Sequence, residues 1–130
     1  MNRTIVIKGA FLGCIAVLLG AMGAHALKQV LTPDQLASFE TAVRYQIYHA
    51  IVLLFLAIGS TWFNQKTLRL SVLFIFGGTL LFSGSIYLLT LKSIFNLDFL
   101  TFAGPITPIG GVCLIIGWLL ILKEGFSKKG

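Results

Sequence analysis

Charge is scarce in this sequence. Ten basic and four acidic residues make up 11% of 130, where soluble domains carry about 25%. A chain this poor in charge cannot cover itself with a water-compatible surface. The four acids, Asp34, Glu40, Asp98 and Glu124, are scattered, which speaks against paired-carboxylate chemistry. Cysteine is also rare. Cys14 and Cys113 each lie in an apolar run, with no CxxC or Cys/His spacing. That removes a zinc signature and a disulfide framework and leaves two small buried apolar residues. No GxSxG, Walker loop or HExxH is present, so no enzyme is expected. The net charge of +6 is not gathered into a basic cluster with interleaved aromatics, so nucleic acid is not an expected partner.

Apolar residues are plentiful: 57% of the chain is hydrophobic, and the mean hydropathy is +0.95. They come in long runs rather than alternating patterns. An integral membrane protein fits both facts. The length allows one domain.

Four helices are expected, at about 5–26, 33–63, 68–91 and 107–122. The first competes with a signal peptide, because a basic start and an apolar stretch precede Ala24-His25-Ala26, an A-x-A pattern. Its apolar stretch is longer than a signal h-region, and it reads as a transmembrane helix. Small residues at Gly9, Gly13, Ala16, Gly20 and Ala24 give it a face that another helix can approach closely, in the same chain or in a homo-oligomer. The second helix has a strong start: Thr32 caps, Pro33 suits the first position, Asp34 favours the helix dipole and Gln35 completes a capping box. From Leu36 to Ile47 it is amphipathic, with Leu36, Phe39, Val43 and Ile47 on the apolar side. Beyond Ile47 it is apolar almost all round. About 31 helical residues exceed the ~30 Å hydrocarbon core, so its first turns are expected outside that core or along its surface. The third helix carries an inner run of small and polar residues, Gly77 to Thr90. An apolar connection, 92–105, is expected to lie at the interface or fold back. Thr107-Pro108 reads as the cap of the fourth helix, and Trp118 as part of an interfacial belt. The tail KEGFSKKG reads as basic and mobile.

Seven basic residues (Arg3, Lys8, Lys66, Arg69, Lys123, Lys128, Lys129) fall on one side of such a four-span arrangement. Three (Lys28, Arg44, Lys92) fall on the other, with three of the four acids. The positive-inside rule then puts both termini in the cytoplasm of a cytoplasmic (inner) membrane. Membrane lipids are the expected partners.

The densest polar and aromatic cluster is Arg44-Tyr45-Gln46-Ile47-Tyr48-His49, where the second helix turns apolar. His25 ends the first helix, so both histidines are expected near the outer interface. Three readings compete. In the first, Arg44 pairs with Glu40 or Asp34 or caps helix 1, and the aromatics anchor the headgroup layer. In the second, the two histidines ligate haem, or copper with Met22 assisting, although no recognised spacing supports this. In the third, the cluster is a small-molecule, lipid or ion site, since ionisable residues at membrane depth mark sites by default.

Four ordered motifs resemble one family. They are Gly20-Ala21-Met22-Gly23-Ala24-His25-Ala26-Leu27, Thr41-Ala42-Val43-Arg44-Tyr45-Gln46-Ile47-Tyr48-His49, Phe82-Ser83-Gly84-Ser85-Ile86-Tyr87 and Gly104-Pro105-Ile106-Thr107-Pro108-Ile109-Gly110-Gly111. The chain resembles the bacterial membrane family catalogued as domain of unknown function 423, which has animal relatives among small transmembrane proteins. Met22 stands where Phe is expected. The resemblance covers nearly the whole chain and implies a four-helix multi-pass protein of the cytoplasmic membrane. It carries no established activity.

The expected fold is therefore all-α, an integral membrane four-helix bundle with an amphipathic extension on helix 2. The leading functional expectation is binding or movement of a small molecule, lipid or ion through a polar cluster near the outer face. Its candidate residues are His25, Arg44, Tyr45, Tyr48, His49, Ser83, Ser85 and Tyr87, with no metal and no cofactor. The alternative is a structural or accessory subunit of a larger membrane complex with no ligand of its own.

Overall fold

A computed structural model describes residues 1–127. The basic tail expected at Lys128 and Lys129 lies outside the described residues. The chain forms α1 (Arg3–Ala24), α2 (Pro33–Ile58), α3 (Gln65–Phe95) and α4 (Ala103–Phe126), with short 3-10 turns at Leu27–Gln29 and Asp98–Phe102. Among the described residues, four helices are long and apolar enough to cross a membrane. Asn2 N–H donates to the Ala57 carbonyl, 3.0 Å away, so α1 starts where α2 ends. Asn64 N–H donates to Glu124 at 2.6 Å, so the α2–α3 turn meets the last turn of α4. The helices alternate up and down, α1 packing on α2 and α4 on α3.

Local chemistry explains the boundaries. Thr32 and Gln35 make the expected capping box, at 3.0 and 3.3 Å. The second helix stops at Ile58 rather than near Phe63. Gly59 caps it, its N–H bonding the Phe55 carbonyl, and Trp62 folds back with its N–H on the Gly59 carbonyl at 2.8 Å. The third helix is longer than expected. Asn64 accepts from the Lys66 and Thr67 N–H groups, and Asn96 ends the helix in the left-handed region at φ 54°, which Asn tolerates better than most residues. The apolar connection of 92–105 shrinks to Asn96 and Leu97 between α3 and the next turn.

The fourth helix begins at Ala103, not at a Thr107-Pro108 cap. Pro105 lies in the first turn, where its missing N–H has no partner to lose. Pro108 lies inside the helix and offers no N–H to the Gly104 carbonyl. Thr107 is thereby freed from capping to bond a neighbouring helix.

The small face of α1 is used within the chain. A Cβ on Gly9 would lie 3.0 Å from the Ala50 carbonyl oxygen, and one on Gly23 would meet Phe39 at 2.9 Å. Its partner is α2. The α3–α4 approach is closer: a Cβ on Gly110 would stand 2.7 Å from the Phe82 Cα, so the two backbones touch. Leu12, Leu53, Leu56, Leu68 and Ile75 form the main core, and Leu27, Leu31 and Phe39 a second one under the α1–α2 connection. Large apolar side chains also face outward, among them Phe11 and Leu18 on α1 and Ile115 and Leu119 on α4. In water that pattern would be a liability, whereas in lipid it is the expected exterior.

Candidate functional site

Pairing along the helices fixes the depth of each candidate. Gly23 lies against Phe39, and Gly13 against Ala50. The first turns of α2 therefore pack on the end of α1, and His49 falls near mid-bundle. His25, twelve residues beyond Gly13, is roughly 18 Å further along α1 at about 1.5 Å per residue. The two histidines do not share a depth and cannot share a ligand. His25 is exposed at the end of α1. Arg44 is also exposed, and its hydrogen bond goes to Thr41 at 3.4 Å rather than to a carboxylate or to helix 1.

The remaining candidates separate into three contacts. In the first, Gln46 is buried on α2, with its Nε2 donating to the Leu12 carbonyl of α1 at 2.8 Å. Its Oε1 accepts from the Tyr87 hydroxyl of α3 at 2.6 Å. One amide thus ties three helices, and its two partners fix which way it points. One turn of α3 away, Ser83 donates to the Ala42 carbonyl at 2.7 Å. A cavity of about 210 Å³ adjoins this contact, lined mainly by Phe11, Ile15, Leu80 and Gly84 beside the polar groups.

The second contact joins α3 to α4. Ser85 donates to the Phe82 carbonyl at 2.9 Å and lies 2.6 Å from the Thr107 hydroxyl. Since the one Ser85 proton is used on Phe82, Thr107 is the donor between the two side chains.

The third contact joins α2 to α4. The Trp118 indole N–H donates to His49 Nε2 at 3.1 Å, and His49 Nδ1 lies 2.6 Å from the Tyr45 carbonyl. A carbonyl only accepts and an indole N–H only donates. Only the neutral imidazole protonated at Nδ1 satisfies both. Trp118 is therefore a partner of His49. Tyr45 stacks on Phe82 with ring centroids 4.8 Å apart. Tyr45 and Tyr48 are 41% and 52% exposed, and with His49, Gly111, Leu114, Ile115 and Trp118 they line a groove of about 390 Å³.

No single cavity gathers the eight candidates. Ser83 and Tyr87 face α2, Ser85 faces α4, the Tyr45–His49 face meets α4, and His25 and Arg44 stand apart. Among the described residues, no cluster of three His, Cys, Asp or Glu side chains forms. Ser71 alone among them buries a side-chain oxygen without a hydrogen-bond partner. The residues that matter most for the geometry, Gln46 and Trp118, were not among the sequence candidates. Gln46 sits on a motif position, which was the available signal. Its Leu12 partner is a backbone carbonyl and has no signature in sequence.

The family described as "Protein of unknown function (DUF423)" matches residues 19–111. The chain belongs to this family. Relatives named UPF0382 membrane proteins are similar to it over nearly its whole length. A UPF0382 membrane protein of Staphylococcus aureus is 38% identical over 98% of this chain and 99% of its own. The UPF0382 inner membrane protein YgdD of Escherichia coli is 35% identical over 98% of this chain and 93% of its own. A UPF0382 membrane protein of Staphylococcus saprophyticus is 38% identical over 96% and 98%. No solved structure matches the chain. This DUF423 chain is thus an all-α multi-pass membrane protein, and each of the four motifs, which lie within residues 19–111, contributes to its interhelical contacts.

Proposed function

We propose that this protein is a non-catalytic structural or accessory component of the cytoplasmic membrane, with both termini in the cytoplasm. The carrying observation is Gln46, whose two amide ends are engaged by α1 and α3 at 2.8 and 2.6 Å. Polar side chains that relay ions or hold a solute keep a hydrogen-bonding capacity turned toward the passing ligand. Here Gln46, Ser83, Ser85, Tyr87, Thr107 and His49 are turned on one another, on Trp118 and on backbone carbonyls, as in helix bundles where polar residues act as interhelical glue. The orientation is supported by Arg3, Lys8, Lys66, Arg69 and Lys123, which belong to the end of the bundle where α1 and α3 begin and α4 finishes, since basic residues favour the cytoplasmic side. The test is native electrophoresis of tagged protein from its own membranes, solubilised mildly. Co-migration with defined partner chains in a fixed ratio supports the reading. Migration as this chain alone, with a non-lipid solute co-purifying at stoichiometric amounts, overturns it.

A second reading rests on the groove beside Tyr45, Tyr48 and Trp118, which is apolar, opens to the outside and is rimmed by two exposed tyrosines. It suits a lipid chain or other amphiphile. Tyr48→Ala is expected to abolish retention of such a molecule without unfolding the protein. Unchanged retention in that variant would remove this reading.

A further inference from the structure

The other end of the molecule carries a site that belongs to neither reading. Between the first halves of α1 and α3 lies a cleft of about 490 Å³, lined by Asn2, Thr4 and Lys8 from α1 and by Gln65 and Arg69 from α3, over an apolar floor. Among the described residues, its wall holds two cations and no acid. Lys8 is half-buried in the second turn of α1. A lysine so close to a helix end can reach the headgroup layer with its ammonium while its stem covers apolar surface. The Lys8 Nζ rests 5.2 Å from the centre of the Phe76 ring, which is favourable but neutralises no charge. Glu124 reaches the same end of the bundle, yet it is held by the Asn64 N–H and does not line the cleft. Both helices also begin here, so their positive dipole ends add to the field. Beside the cations, Leu73 lines the cleft and is 61% exposed, offering an apolar track toward the middle of the bundle.

We propose that this cleft binds an anionic phospholipid, its phosphate held between Lys8 and Arg69 and an acyl chain lying along Leu73. Charge selects the headgroup: Arg69 offers a planar fork to phosphate oxygens and Lys8 a point charge. The apolar track selects a lipid over free phosphate.

The test uses the full chain in detergent, with bound lipid counted by native mass spectrometry during titration with dioleoylphosphatidylglycerol or dioleoylphosphatidylcholine. Phosphatidylglycerol is expected to be retained over phosphatidylcholine. Arg69→Gln is expected to weaken it about fivefold, and the Lys8→Gln/Arg69→Gln pair about 25-fold, on the usual contribution of one basic residue at a membrane surface. The charge-conserving pair Lys8→Arg/Arg69→Lys is expected to retain it. Lys28→Gln/Lys92→Gln removes the same charge from the opposite end and is expected to leave binding unchanged. Equal retention of the two lipids overturns the proposal, as does equal weakening in the Lys28/Lys92 pair. Displacement of phosphatidylglycerol by millimolar inorganic phosphate overturns the lipid assignment. If the double variant does not fold, Arg69→Gln alone decides, since Arg69 is exposed and its loss disturbs no packing.

Discussion

The Tyr87 hydroxyl donates to the Gln46 carboxamide oxygen across 2.6 Å, while the same amide donates to Leu12 on a third helix. Interhelical hydrogen bonds in membrane proteins average about 0.6 kcal/mol and reach about 1.7. Tyr87→Phe is expected to lie in that range. Gln46→Leu strands both the Tyr87 hydroxyl and the Leu12 carbonyl, and is expected to destabilise by about 1–3 kcal/mol. Unfolding in mixed micelles measures both. A double-mutant cycle is expected to show coupling, and strict additivity of the two variants would refute the shared network.

Gly110 is expected to be the least tolerant small residue on α4. Gly110→Ala puts a methyl group on the Phe82 backbone, which cannot move aside as a side chain can. Separating α3 from α4 is expected to cost about 1–3 kcal/mol or more. The comparison is Gly84→Ala on α3, where a Cβ meets nothing within 4 Å and an unchanged or slightly raised melting temperature is expected. Equal effects of the two would contradict the α3–α4 packing.

For His49, the two contacts predict a single tautomer. Nitrogen NMR of protein labelled at histidine is expected to show His49 protonated at Nδ1 and bare at Nε2. Trp118→Phe keeps an aromatic ring but removes the donor, and is expected to shift the Nε2 resonance and lower stability by about 0.5–1.5 kcal/mol. A His49 signal from the other tautomer would refute the Trp118 hydrogen bond.

Orientation is tested by cysteine labelling in a background with Cys14→Ala and Cys113→Ala. Gln29→Cys, between α1 and α2, is expected to react with an impermeant thiol reagent on intact spheroplasts. Ser127→Cys, after α4, is expected to react only once the membrane is opened. The reverse pattern would overturn the cytoplasmic placement of the termini.

Much of the fold was legible in the sequence, because its signals are local. Runs of apolar residues gave four helices, and Thr32 with Gln35 marked the start of α2 to the residue. The missed boundaries have local causes too. Gly59 stopped α2, and Asn64 and Asn96 extended α3 beyond the expected 68–91 by acting as caps, Asn96 within the expected apolar connection. The site was less legible. His25 and His49 bracket one connection in sequence, and the expected shared depth followed from that. Antiparallel packing of α1 on α2 instead separates them by roughly 18 Å. Thr107 resembled an N-cap because Thr-Pro usually marks one, but Ser85 lay within reach.

Sequence by itself determined the membrane class, the number of helices, the charge asymmetry of the two ends and the list of polar residues inside. Composition and 3.6-residue periodicity act along the chain, so they can be read along the chain. Tertiary structure alone decided the partner of each polar group. Gln46 faces Leu12 and Tyr87 because small residues let α1 approach α2 closely, and Trp118 reaches His49 because α3 and α4 touch at Gly110 and so bring α4 beside α2. Hydrogen bonds between helices depend on register and rotation, which packing sets over the whole bundle. The same packing gathers Lys8 and Arg69, sixty-one residues apart in sequence, around one cleft.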